Sequence, residues 1–237
     1  MNKLRFISLI SCLILPLLSA GCDSDEDVQA HQGEGGAAGA GGSAAKATFF
    51  VTSDTSSTAD LGGLDGADAR CQRLADAAAL GPHTFHAYLS AEQDPADESK
   101  TVDARARIGT GPWYNSKGAL LAKDVAALHE LSGSAELFLD EQGNEINGQW
   151  QGSPTPNEHD VLTGSAADGT LLAGKTCADW TSDSADMTAQ VGHSDGLGPN
   201  MNSASPYNSW NSAHENESCA DTAPRGGAGR LYCFAID

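Results

Sequence analysis

Apolar and polar positions divide the chain into three stretches. Phe6 to Leu18 is an almost unbroken apolar run, preceded by Lys3 and Arg5 and followed by Ser19, Ala20, Gly21 and Cys22. Gln32 to Ala45 is almost wholly Gly, Ala and Ser. Beyond Ala47, short apolar segments alternate with turn residues. Phe49-Phe50-Val51-Thr52 predicts a first strand, bounded by the polar run Ser53 to Thr58. A helix is predicted to open near Asp65 as N-cap. Its apolar stripe is Ala67, Cys71, Leu74, Ala75 and Ala78, and Gly81-Pro82 ends it. Phe85 to Leu89 predicts a second strand. Val102 to Ile108 and Asp124 to Leu131 predict shorter helices. Leu137-Phe138-Leu139 and Ile146 flank Glu141-Gln142-Gly143-Asn144, a hairpin turn. Between Trp180 and Trp210 periodicity is nearly absent, and such long irregular stretches in compact domains are usually functional. Leu231 to Ile236 closes the chain as a strand.

The first stretch is an export signal: a positive start, a short apolar core and small residues at the cleavage point. It falls short of the roughly 20 apolar residues that span a bilayer. Leu18-Ser19-Ala20-Gly21-Cys22 resembles a bacterial lipobox, which implies removal of residues 1–21 and acylation of Cys22. Several acyl chains, at about 0.8 kcal/mol per buried CH₂, anchor a protein that does not cross the membrane. The expected location is the cell envelope, at the inner or outer membrane or displayed on the cell surface. Residues 22–46 then form a flexible tether with a reach of roughly 25–30 Å. Residues 47–237 form one globular domain.

Charge narrows the partners. Removal of Lys3 and Arg5 with the signal leaves 11 basic against 32 acidic residues, a net charge of −21. Such a chain is repelled by phosphate backbones, so nucleic acid is excluded as a partner.

Four cysteines remain for the exported domain: Cys71, Cys177, Cys219 and Cys233. An even set in an exported chain argues for two disulfides, and spacing alone permits three pairings. No pair has the CxxC spacing of a cysteine zinc site. Cys12 lies within the signal as an apolar filler.

Five segments occur in an order that resembles the C-type lectin-like fold in its endostatin-like branch, and a domain of bacterial lipoproteins. They are Ala67-Asp68-Ala69-Arg70-Cys71, Phe85-His86-Ala87-Tyr88-Leu89-Ser90, Gln149-Trp150-Gln151-Gly152-Ser153, Cys177-Ala178-Asp179-Trp180-Thr181 and Leu231-Tyr232-Cys233. The resemblance implies an α+β fold. Its terminal strands are paired, one or two helices pack on a small antiparallel sheet, and a long irregular loop is clamped by a disulfide. It further implies nested bridges, Cys71 to Cys233 and Cys177 to Cys219. Endostatin's own zinc ligands include histidines at its extreme N-terminus, and nothing here matches them.

The candidate recognition surface is the 178–218 loop. Its candidate ligand-binding residues are Asp179, Trp180, Asp195, Asn200, Asn202, Trp210, Asn211 and Glu215; His193 and His214 also lie within it. Carboxylate and amide oxygens suit Ca²⁺, and aromatic faces suit sugar rings. Calcium-dependent lectins use Glu-Pro-Asn or Gln-Pro-Asp with Trp-Asn-Asp. Here Gly198-Pro199-Asn200 and Trp210-Asn211-Ser212 each lack an acid, which weakens the case for calcium as a cofactor. His83 and His86 lack an evident third metal ligand, and no metal site is assigned. No GxSxG, HExxH or Walker pattern occurs, so an enzyme is not expected. The expectation is a lipid-anchored envelope binding module for a glycan or for an envelope or host protein. The alternatives are a structural or adhesive envelope protein and, more remotely, an envelope hydrolase.

Overall fold

A computed structural model describes residues 47–237; the signal segment, Cys22 and the tether to residue 46 lie outside the described residues. The domain is α+β, with few helices and small sheets. Strand β1 (Phe49–Val51) and strand β2 (Phe85–Ala87) flank the C-terminal strand β9 (Tyr232–Ala235) in the order β1-β9-β2, so the two ends of the domain pair antiparallel.

Alternation along these strands divides the core in two. Phe49, Val51, Tyr232 and Phe234 pack with Tyr88, Trp113, Phe138 and Trp210 on one side. Phe50, Phe85, Ala87 and Cys233 pack with helix α1 on the other. Helix α1 (Gly63–Ala77) buries Leu64, Ala67, Cys71, Leu74 and Ala75. It starts two residues before Asp65, behind Gly62 in a left-handed conformation, and Asp65 occupies the first turn, where it favours the helix dipole. Leu80 N–H donating to Ala75 O closes the other end, before Gly81-Pro82. The Cys71–Cys233 disulfide joins α1 to β9.

Several predicted elements are shorter than the sequence pattern implies. Val102 to Ile108 is not a helix; Ala104–Ala106 forms one 3₁₀ turn. Its backbone is claimed from outside: Ser90 Oγ accepts from Ala104 N, Ala91 O accepts from Val102 N and Gly169 O accepts from Arg105 N. The segment is too short to offset helix nucleation against those competitors. The second strand stops at Ala87, where Leu89 N–H turns back to Ala87 O. Helix α2 (Val125–His129) is capped by Asp124, whose carboxylate accepts from Ala127 N. The 137–146 turn forms around Asp140, which accepts from the Gln142 and Asn144 amides, with one bridge between Leu139 and Glu145.

A two-stranded sheet joins β3 (Trp113–Tyr114) to β4 (Leu120–Ala122). A second, mixed sheet carries β5 (Asp160–Leu162), β6 (Gln190–His193), β7 (His214–Glu215) and β8 (Gly227–Arg230) in the order β7-β6-β5-β8. Strand β6 lies inside the stretch without periodicity. All four of its residues are buried, so both faces of the strand are covered, which removes the alternation that marks a half-exposed strand.

Cys177–Cys219 closes the base of the segment containing β6 and β7, so the two bridges nest. Cys177 to Trp180 forms a left-handed turn of four non-glycine residues, a conformation costing roughly 1–2 kcal/mol each. The disulfide holds one end. The Trp180 indole donates to Ser90 O at the other, and the Asp179 carboxylate accepts from the Glu92 and Gln93 amides. Among the described residues no helix is long and apolar enough to cross a membrane.

Candidate functional site

The mixed sheet brings together chemistry that is scattered along the chain. Asp160 and His193 are direct antiparallel partners, as are Val191 and His214 in the next ladder. Residues 191 and 193 share a face, so Asp160, His193 and His214 project to one side of the sheet. His159 precedes β5, and its ring stacks on that of His193 with centroids 4.3 Å apart. Glycines permit this crowding. A Cβ on Gly192 would collide with the Trp210 backbone, and one on Gly226 would lie 2.7 Å from Asn157 Nδ2 and 3.2 Å from the His159 ring.

The hydrogen bonds fix the tautomer of each ring. His159 Nδ1 faces Asp195 Oδ1 at 2.7 Å, His193 Nδ1 faces the Tyr207 carbonyl at 3.0 Å, and His214 Nδ1 faces the Glu215 carbonyl at 2.8 Å. Each acceptor requires an N–H at Nδ1, so in the neutral ring the lone pair sits on Nε2. All three Nε2 atoms surround the Asp160 carboxylate. His159 and His193 stand 3.3 Å from Oδ1, and His214 stands 3.5 Å from Oδ2.

Asp160 is 1% exposed, and neither of its oxygens accepts a hydrogen bond; His193 Nε2 is likewise buried and unpartnered. Burial pushes the Asp160 carboxyl up to about 6, against the pull of His159 and His214, with Asp195 adding to the rise. Burial, then the neighbouring His159 and His214, pushes His193 down to about 3. Burial alone would raise Asp195, but donation from His159 and from the Leu197 and Trp150 amides holds it below the usual carboxylate value. An ionised Asp195 therefore orients His159, while Asp160 lacks any donor.

A cavity of about 360 Å³ opens over the cluster, lined by Gln149, Asn157, His159, His193, Pro199, Tyr207, His214 and Arg225. The side chain of His214 is 27% exposed, so this side of the cluster reaches solvent. His159, Asp160 and His193 each offer one ligand atom, all within 4.8 Å of one another. The donor set is two or three imidazole nitrogens and one carboxylate, suited to divalent transition metals rather than to calcium's all-oxygen shell.

The structure separates the residues expected to bind ligand. Asp195 belongs to the cluster through His159. Trp180 and Trp210 lie in the core, their indoles donating to Ser90 O and Leu128 O. Asn211 is buried and donates to Tyr88 Oη, Ala166 O and Ala167 O. Asp179 holds the left-handed turn, and Glu215 pairs with Lys175 at 2.8 Å and accepts from Thr188. Asn200 and Asn202 are exposed, and Asn202 Oδ1 accepts from Ala204 N. His83 faces Asp237, and His86 lies 3.8 Å from Asp68, remote from the cluster in the fold. His159 and Asp160, outside the clamped segment, were not among the expected residues. Their one sequence signal is an adjacent His-Asp pair at the start of the apolar run Val161-Leu162.

No protein-family model matches the chain, and no curated protein matches it.

Proposed function

We propose that the chain is a lipid-anchored envelope binding module of the C-type lectin-like class, endostatin-like branch, which takes its ligand in the histidine-floored cavity. Support for the class comes from the paired terminal strands, the bridge from the first helix to the last strand and the bridge across the base of the polar excursion. Cys22 supplies the anchor, and the tether supplies the spacing.

The observation that carries the ligand reading is the make-up of the cavity wall. In a chain with 32 acids, the wall carries Gln149, Asn157, Tyr207 and Arg225, whose Nε is held by Glu217 at 2.9 Å, and no Asp or Glu lines it; Asp160 lies beneath it. A wall with one guanidinium, two amides and one phenol suits a hydroxyl-rich ligand bearing a carboxylate, such as an acidic sugar at the end of a glycan. The clamped base lowers the ordering penalty on binding.

The test is calorimetry of the full-length chain in detergent against uronic-acid and neutral oligosaccharides of matched length. Preferential binding of the acidic series, weakened about 10-fold in Arg225→Ala, supports the reading. Equal response to both series, or no response to either, counts against it.

A further inference from the structure

We propose that His159, His193 and Asp160 form a divalent transition-metal site of the zinc type, with His214 beside its open position. The inference goes beyond the glycan reading and stands whether or not a sugar binds in the cavity.

Lone-pair bookkeeping leads to it. The Asp195 carboxylate and the Tyr207 and Glu215 carbonyls each hold an N–H on Nδ1 of one ring. Three Nε2 lone pairs then face one carboxylate that is buried and accepts no hydrogen bond. Lone pairs against an anion repel, and a buried carboxylate without donors is strongly disfavoured. A cation between them reverses every one of these terms. Protonating the rings at Nε2 serves less well, because none of the three contacts has hydrogen-bond geometry although each is within 3.5 Å.

The spacing fits as well. Zinc bonds imidazole nitrogen and carboxylate oxygen at about 2.0–2.2 Å, so the edges of its tetrahedron measure about 3.3–3.6 Å. The separations from Asp160 Oδ1 to the His159 and His193 nitrogens are both 3.3 Å, two edges of such a tetrahedron; the two rings, stacked with 16° between their planes, must rotate apart for both lone pairs to meet one ion. His214 stands at the other oxygen, toward the cavity, where the fourth position opens to exchangeable solvent or ligand. The outer partners match what a metal site needs. A carboxylate behind His159 and carbonyls behind the other two rings fix orientation and raise the basicity of each Nε2. The cavity provides the entry path.

The experiment uses the full-length chain in detergent, stripped with chelator and titrated with Zn²⁺ and with Co²⁺. Expected are one equivalent of either ion, visible cobalt bands of a four- or five-coordinate N/O site, and displaced Nε2 resonances of His159 and His193 in ¹⁵N imidazole spectra. Asp160→Asn and His193→Gln should each weaken zinc by about 100-fold or more, with both disulfides intact; His83→Gln should change nothing. No saturable binding by the wild type overturns the proposal, as does one equivalent retained in both variants. If the variants fail to fold, the wild-type spectra decide: cobalt bands of a six-coordinate aqua ion, or unmoved His159 and His193 resonances, also overturn it.

Discussion

Replacing Asp160 by Asn should stabilise the metal-free protein and lose that advantage once zinc is bound. In the metal-free protein the buried carboxyl has its pKa raised from 3.8 to about 6, chiefly by burial. A carboxyl whose folded pKa exceeds its unfolded value holds its proton more tightly in the fold. Stability therefore falls as pH rises from about 4 to about 6 and stays lower above that window. The two-unit gap corresponds to about 3 kcal/mol at neutral pH. Asn carries no charge, and its N–H group can donate to the Nε2 lone pairs at 3.3 Å. Metal-free Asp160→Asn should therefore be more stable than the wild type by about 3 kcal/mol at pH 7.5, with no difference near pH 3.5. Zinc at 1,000 times its Kd adds about 4 kcal/mol to the wild type and, with binding 100-fold weaker, about 1.4 kcal/mol to the variant, so the variant's lead closes to near zero. Urea unfolding under non-reducing conditions, followed by fluorescence of the buried Trp180 and Trp210, measures both arms. A variant less stable than the wild type by the same amount with and without zinc would refute the reasoning, because it would make Asp160 a purely structural group.

Other outcomes follow from the same structure. Replacing Cys71 and Cys233 by Ala opens a link across 162 positions and should lower stability by about 5 kcal/mol on loop-entropy grounds; Cys177 and Cys219, across 42, should lose about 4, both read from urea midpoints. Asp195→Asn removes the acceptor behind His159 and should weaken zinc binding 10- to 100-fold while the far-UV spectrum stays unchanged. Acidification should release the metal as its ligands protonate, so zinc retention should fall between pH 7 and pH 5 in equilibrium dialysis. Cys22→Ala should abolish incorporation of labelled palmitate and shift the protein out of the membrane fraction.

Local patterning carried much of the fold. Four of the five predicted stripe positions on the first helix are buried, with Ala78 partly so at the helix end. The Gly81-Pro82 stop was equally legible, because it depends on residues within one turn; Asp124, the first residue of the predicted 124–131 helix, is its cap. Val102 to Ile108 misled for the opposite reason: its backbone bonds go to Ser90, Ala91 and Gly169, partners that no local window contains. Strand β6 was hidden by burial of both its faces, which erases the two-residue alternation.

The site was half visible. The clamped segment pointed to His193, Asp195 and His214, but His159 and Asp160 reach the same place through strand pairing. Their burial cannot be read from an adjacent His-Asp pair. Trp180 and Trp210 were ligand candidates because aromatic faces suit sugar rings, whereas their indoles are pinned to backbone carbonyls in the core.

The most direct measurement is an anomalous-difference map at the zinc edge from zinc-soaked crystals. A single peak about 2.0–2.2 Å from His159 Nε2, His193 Nε2 and an Asp160 oxygen is the predicted result. An empty cluster, with zinc only at surface groups such as His83 and Asp237, would contradict it.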